Sequence, residues 1–396
     1  MARLTLCRQQ QPGHPRLNSS AANKQTSQSS RVCPAGCNLS AGPRIMFAME
    51  TVSDIALVGA GPLGIEIAAA LSRAGLSYVH LEAGQIGATM QWWAPGTRWF
   101  SSNDRISIAG VPLMTPLQEK ASREEYLAYL RSVVEQFNLQ IDTYTRVVAI
   151  ERINDEFILR TRRSIGGKLL GGERRFRVQK IILSTGGTEK PNLIHVPGED
   201  LPHVSHYFQD PHIYFRRDLL IVGGRNSAIE AALRCHRAGA SVSLSYRGPA
   251  IDSKDIKYWL YPEFSSLVKA GKIGSYFDAC VTEITSTHVK LRHPAGETSL
   301  VPADFVLLMT GYAADMSLAT MAGVELTGDQ AMPTYNSHTM ETNIPGVYVA
   351  GTAIAGSQRR YKIFLENCHV HVDRILAHLT GEQPEEHERI YDRPEA

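Results

Sequence analysis

Two strand–glycine–helix units, opening at Gly59 and Gly223, and apolar strands that return to each unit after a long excursion predict an α/β fold. The expected architecture is two Rossmann-like domains, the second inserted into a discontinuous first. A chain of 396 residues suits this, since domains run to about 100–200 residues each. Hydrophobic residues make up 43% of the chain, enough to fill two separate cores.

The first unit spans Asp54 to Glu82. Ile55–Val58 is a short apolar run of the kind buried on both faces of a parallel sheet. Gly59, Gly61 and Gly64 follow in G-x-G-x-x-G spacing, with Pro62 inside the motif. The first glycine permits the tight turn, the second lets backbone approach a pyrophosphate, and the third lets the helix pack on the strand. The helix then aims its N-terminal amides and positive dipole end at the phosphates. After a second strand at Tyr78–Leu81, Glu82 is placed to accept hydrogen bonds from the adenosine ribose. Glycines also mark ordinary strand–helix turns; the strand before, the helix after and the acid at this distance distinguish a dinucleotide site, assigned here to FAD.

The pattern recurs from Asp218. A Leu219–Val222 strand leads into Gly223, Gly224, Arg225, Asn226, Ser227 and Ala228, then a helix to about Arg237 and a strand at Ser241–Ser245. Arg225 replaces the middle glycine, and its charged side chain is a candidate phosphate contact. The second strand ends in Tyr246–Arg247 with no acid. An acid there favours NAD, whereas an arginine accommodates the 2′-phosphate of NADP, so this unit is assigned to NADPH. The plainer reading of Arg247 is a solvated surface residue.

The connections fit this plan. Residues 123–138 carry an amphipathic helical pattern. Residues 145–153, 156–163 and 175–186 alternate as antiparallel strands with a glycine-rich turn at 166–172, the last ending at Thr185–Gly186 beside the expected flavin. A proline-rich linker covers about 191–215. A strand within 303–312 returns to a turn at Gly311, assigned to the NADPH site. Another, within 341–356, ends at Gly351, assigned to the FAD site. One long helix is expected over 361–379. These place the FAD domain at 50–200 and 304–382, the NADPH domain at 201–303, and tails at 1–49 and 383–396.

The formal charge is +2, but the first 49 residues hold six basic residues and no acid, so the remainder is slightly acidic. That excludes a nucleic-acid footprint. No run approaches the ~18 apolar residues of a membrane span. The Ser-, Gln- and Arg-rich leader reads as disordered, as a start placed too early with Met46 or Met49 the true one, or weakly as a transit peptide. Six scattered cysteines fit a reducing cytoplasm, and no metal site is expected. Cys33 and Cys37 read as a chance pair, and Cys235 and Cys280 as core. Cys368 is the candidate redox residue: it precedes a helix, whose start lowers a thiol pKa, and His369 and His371 flank it. Its plainer reading is a small buried hydrophobe. Trp92, Trp93, Trp99 and Phe100 form an aromatic cluster that walls either a ligand or the core.

The nested order, with the stretches PNLIHVPGEDLPHVSHYF (191–208), IVGGRNSAIEAAL (221–233), DFVLLMTGY (304–312) and ETNIPGVYVAG (341–351), resembles the thioredoxin-reductase-like pyridine nucleotide–disulfide oxidoreductases. Within them, residues 54 to 380 resemble the bacillithiol disulfide reductase family. The resemblance implies an NADPH- and FAD-dependent cytoplasmic reductase acting on a low-molecular-weight thiol disulfide, often paired as a homodimer. There are departures. No C-x-x-C stands near His206–Asp210, and Leu63 occupies the position where that family carries a cysteine. A class B flavin monooxygenase is the first alternative, although LPHVSHY lacks that group's Phe and Gly; a non-catalytic flavin sensor is the second.

Overall fold

The computed structural model describes residues 50–358 and 362–383. The leader with Cys7, Cys33 and Cys37, and the last thirteen residues, lie outside the described residues. The first half runs β1 (Glu50–Val58), α1 (Pro62–Arg73), β2 (Tyr78–Leu81), α2 (Arg123–Gln136), β3 (Ile141–Asp142), β4 (Thr145–Ile153), β5 (Glu156–Ile165) and β6 (Lys168–Leu183). Two short crossover strands follow, β7 (Lys190–Pro191) and β8 (Val204–Ser205). The second unit runs β9 (Asp218–Val222), α3 (Asn226–Arg237), β10 (Ser241–Ser245), α4 (Tyr261–Lys269), β11 (Gly274–Tyr276), β12 (Cys280–Ile284), β13 (His288–Arg292), β14 (Thr298–Pro302) and β15 (Phe305–Leu308). The chain closes with β16 (Tyr312–Ala313), β17 (Val347–Val349) and α5 (His369–Thr380).

The first sheet is ordered β3-β2-β1-β6-β5-β4. β1, β2, β3 and β6 are parallel, and β17 comes back to pair with Ile181–Leu183 of β6. Ile55, Ala56, Leu57 and Val58 are all buried, as a strand covered on both faces requires. Pro62 opens α1 at a position where a missing N–H costs nothing. α2 starts at a capping box in which Ser122 and Glu125 satisfy each other's backbone amides.

The second sheet, β11-β10-β9-β15-β8, is wholly parallel. β15 was expected to open the return of the first domain, with a boundary at 304. It pairs instead with β9 and β8, so the second sheet extends through Leu308. A periodicity reading sees an apolar strand but not its partner. The return begins only at β16, which forms a two-stranded ribbon with β7.

Two further expectations are corrected. The turn between β5 and β6 is only Gly166–Gly167; Gly171 and Gly172 lie inside β6, where a register shift absorbs them. The C-terminal helix starts at His369, after a short 3₁₀ turn at Leu365–Asn367. The Asn367 side chain accepts the Phe364 N–H there and so breaks the helical ladder.

Candidate functional site

At the first opening each fingerprint glycine has its own reason. Gly59 sits at φ +105, and a Cβ there would lie 2.5 Å from the Ser184 carbonyl oxygen. A Cβ on Gly64 would lie 2.0 Å from the Gly59 carbonyl oxygen, so helix and turn are in backbone contact. A Cβ on Gly61 would meet nothing within 4 Å, because this glycine faces an open cleft. The Gly59 carbonyl accepts hydrogen bonds from the Ser184 hydroxyl and from His80 Nε2, each at 2.9 Å. A carbonyl only accepts, so His80 carries its proton on Nε2. Burial pushes the His80 pKa down to about 4, which keeps the ring neutral.

Glu82, buried at the end of β2, accepts the Ala60 N–H at 2.7 Å and the Gly84 N–H at 2.6 Å. Burial raises its pKa against the pull of these two donors. Each carboxylate oxygen keeps a further acceptor site for a ribose hydroxyl. The second exit of this sheet brings Thr185 and Gly186 to the same cleft, and Gly351 (φ +71) approaches Leu63.

The second opening faces the same cleft. Gly223 adopts φ +152, and its Cβ would lie 2.5 Å from the Met309 carbonyl oxygen. Gly224 lies on the Tyr246 ring, which a Cβ would meet at 2.4 Å. Asn226 turns its side-chain oxygen to the Lys257 N–H at 2.8 Å, anchoring the 252–257 loop, while Ser227 and Ala228 line the cleft. Arg225 pairs with Asp255 at 3.4 Å, so the expected free phosphate contact is already engaged in an ion pair. Arg247 is exposed on the cleft wall, and Gly311 (φ +92), in the turn after β15, lies beside Asn192.

The cleft between the openings measures about 2230 Å³. The expected aromatic cluster divides into three. Trp92 joins Tyr207 and Tyr312, at ring separations of 5.1 and 4.9 Å, on the cleft wall. Trp93 and Trp99 run into the core through Tyr126. Phe100 meets Trp259 from the second unit. Arg234 of α3 ties the units together by donating to Thr97 Oγ1 at 2.8 Å and to the Pro95 carbonyl, with its guanidinium over Phe208. Sequence reading missed Tyr207, Tyr312 and Arg234, because their partners lie far away along the chain.

The cysteines also need correction. Cys235 is buried as expected, but Cys280 is exposed and lines the cleft at the edge of β12. Cys368 is fully buried and donates its thiol hydrogen to the Phe364 carbonyl at 2.9 Å. Burial first, and then the nearby Glu66 carboxylate, push its pKa well above the ordinary thiol value. Desolvation therefore overrides the helix-start effect expected from sequence. Contacts of the Cys368 backbone, not of its thiol, lead to Gly351. The Gly351 N–H donates to His371 Nδ1 at 3.1 Å, and the His371 N–H donates to the Cys368 carbonyl at 2.9 Å. Among the described residues no group of three His, Cys, Asp or Glu side chains is placed to hold a metal, and no helix is long and apolar enough to cross a membrane.

Residues 56–351 match the family model of the pyridine nucleotide-disulphide oxidoreductases. The bacilliredoxin reductase Bdr of Bacillus subtilis is 34% identical over 82% of this chain and 96% of its own length. The structure of the bacillithiol disulfide reductase Bdr of Bacillus cereus is 33% identical, covers 84% of this chain and 99% of its own, and superposes with a TM-score of 0.78. The thioredoxin reductase of T. acidophilum, 19% identical over 83% of this chain and 98% of its own, superposes with a TM-score of 0.63 and shares the fold. The chain is therefore an oxidoreductase built around a flavin and a pyridine nucleotide, and it belongs to the pyridine nucleotide–disulphide oxidoreductases and, within them, to the bacillithiol disulfide reductase family.

Proposed function

We propose that the first opening holds FAD, that the second holds NADPH, and that electrons pass from the nicotinamide through the flavin to a small-molecule disulfide of the low-molecular-weight thiol class. The carrying observation is that both strand–glycine–helix openings face one continuous cleft. The open space at Gly61 and the buried carboxylate of Glu82 fit a diphosphate and a ribose. The proposed flavin contacts are Gly59, Gly61, Pro62, Gly64, Glu82, Thr185, Gly186 and Gly351. The proposed NADPH contacts are Gly223, Gly224, Ser227, Ala228, Arg247 and Gly311. Asn226 and Arg225 support that opening through the 252–257 loop.

A bound flavin supplies the two-electron chemistry, and the chain supplies position. α1 and α3 each direct N-terminal amides at a diphosphate. The Arg234 ties and the Trp92–Tyr207–Tyr312 cluster hold the two openings over a common space. Leu63 cannot exchange with a disulfide, which needs a thiolate. Cys368, which borders the cleft and whose backbone carbonyl is joined to Gly351 through His371, is the proposed thiol, and burial requires that it be deprotonated for each turnover. The relatives at 33–34% identity are named reductases, which supports this reading over a monooxygenase or a silent sensor. A cytoplasmic location, supported by the free thiols of Cys235, Cys280 and Cys368 among the described residues, and a homodimer, supported by the resemblance, complete the proposal. The first domain is proposed to resume after Leu308 rather than at 304.

The test is anaerobic titration of the purified flavoprotein with NADPH, followed by separate acceptors. Bleaching by NADPH and reoxidation by a small disulfide support the proposal. Bleaching followed by reoxidation with oxygen alone refutes the disulfide assignment.

A further inference from the structure

Tyr144 connects β3 to β4 with φ +55, a left-handed backbone that residues bearing a Cβ avoid. The conformation is held from both sides. The Tyr144 N–H donates to the Gly84 carbonyl and the Ser164 N–H donates to the Tyr144 carbonyl, each at 2.8 Å. Thr145 N–H donates in turn to the Glu82 carbonyl at 2.7 Å. The tyrosine is thus fixed between the loop that follows Glu82 and the β5–β6 hairpin. The residue stays 38% exposed, and it lines the cleft with Glu82 and Gly84. The hairpin turn Gly166–Gly167 lines the same mouth.

Positive φ recurs at other turns of the chain, but Tyr144 combines it with backbone bracing and a place on the cleft wall, and strained residues cluster at ligand sites. Glu82 is the residue that marks the adenosine ribose, so the base attached to that ribose must lie at this mouth. We propose that Tyr144 is a purine-binding residue: its ring provides an aromatic face for the adenine of the dinucleotide held at the first opening, and the Gly166–Gly167 turn covers it. This rests on the proposal that the first opening holds FAD. It goes further in making retention of the adenosine half depend on one aromatic ring outside the glycine fingerprint.

The test compares the apoprotein with Tyr144→Gly, Tyr144→Ala and Tyr144→Phe. Dissociation constants are measured with FAD and with FMN, which lacks the adenosine half, alongside apoprotein melting temperatures. Loss of one base–aromatic stack weakens binding about tenfold. Tyr144→Gly is expected to weaken FAD about tenfold, leave FMN unchanged, and hold or raise the melting temperature, since glycine accepts the positive φ without strain. Tyr144→Phe should bind FAD like the unaltered protein. Unchanged FAD affinity in Tyr144→Gly, or equal weakening of FAD and FMN, overturns the role. Unaltered protein that binds neither flavin overturns the first-opening assignment itself.

Discussion

Gly61 and Gly64 stand three residues apart in one motif, yet the structure predicts opposite consequences for adding a methyl group to each. A Cβ on Gly64 would lie 2.0 Å from the Gly59 carbonyl oxygen, a backbone atom with no freedom to withdraw. Gly64→Ala must therefore push α1 away from the turn, and forced overpacking of this kind costs about 1–3 kcal/mol. A Cβ on Gly61 would meet no protein atom within 4 Å, and φ −72 with ψ −178 suits any residue. Alanine is a poorer helix N-cap than glycine by roughly 0.5–1 kcal/mol, and this is offset by about the same gain from stiffening the unfolded chain. Gly61→Ala should leave the apoprotein as stable as the parent. In the cleft, however, the methyl stands where the diphosphate must approach backbone. Loss of one charge-assisted hydrogen bond, about 1.5–3 kcal/mol, weakens flavin binding roughly 10- to 100-fold. The assay pairs apoprotein denaturation with flavin binding by fluorescence. A Gly61→Ala protein that binds flavin like the parent, or one that unfolds like Gly64→Ala, refutes the reasoning.

Arg247→Glu should raise the KM for NADPH on the order of tenfold or more while leaving that for NADH nearly unchanged, because only NADPH carries the phosphate that a guanidinium pairs. Equal effects on both coenzymes remove the assignment. Cys368→Ser should spare flavin reduction and abolish disulfide turnover. In the unaltered enzyme that turnover should climb with pH beyond neutrality, since burial raises the thiol pKa and each unit of pH increases the thiolate fraction about tenfold. Full turnover in the mutant eliminates the thiol. His80 and His371 are held neutral, with burial pushing their pKa values down to about 4 and about 3. The unfolded chain takes up these protons near pH 6.5 and the folded chain does not, so their contribution is complete above that value and declines as pH falls below it. The decline is about 1.4 kcal/mol per histidine per pH unit, ending at the folded pKa. Denaturation midpoints that stay flat between pH 6.5 and 4 contradict this.

Much of the architecture was legible because it is written in local pattern. The two glycine fingerprints, the end of α3 at Arg237, and β4 from Thr145 to Ile153 follow from punctuation and alternation within a few residues. What was not legible depends on pairing at a distance. β15 looks like any buried strand, and only its register with β9 places it in the second sheet. Cys368 sits at a helix start as expected, but its surroundings, with Glu66 from a helix some 300 residues earlier, decide its protonation. Trp92 could be singled out as aromatic, but its partners Tyr207 and Tyr312 come from the two crossovers. Arg225 reads as a phosphate contact by position, and tertiary structure pairs it with Asp255, while Asn226 of the same opening turns to the Lys257 N–H.

The account requires two coenzymes on one cleft, and rapid mixing of the purified holoprotein with NADPH in the absence of oxygen measures that directly. The visible flavin absorbance should disappear in a single NADPH-dependent phase, far faster than with NADH at the same concentration. A colourless protein that cannot be reconstituted with flavin, or a bound flavin that NADPH leaves oxidised, would contradict it.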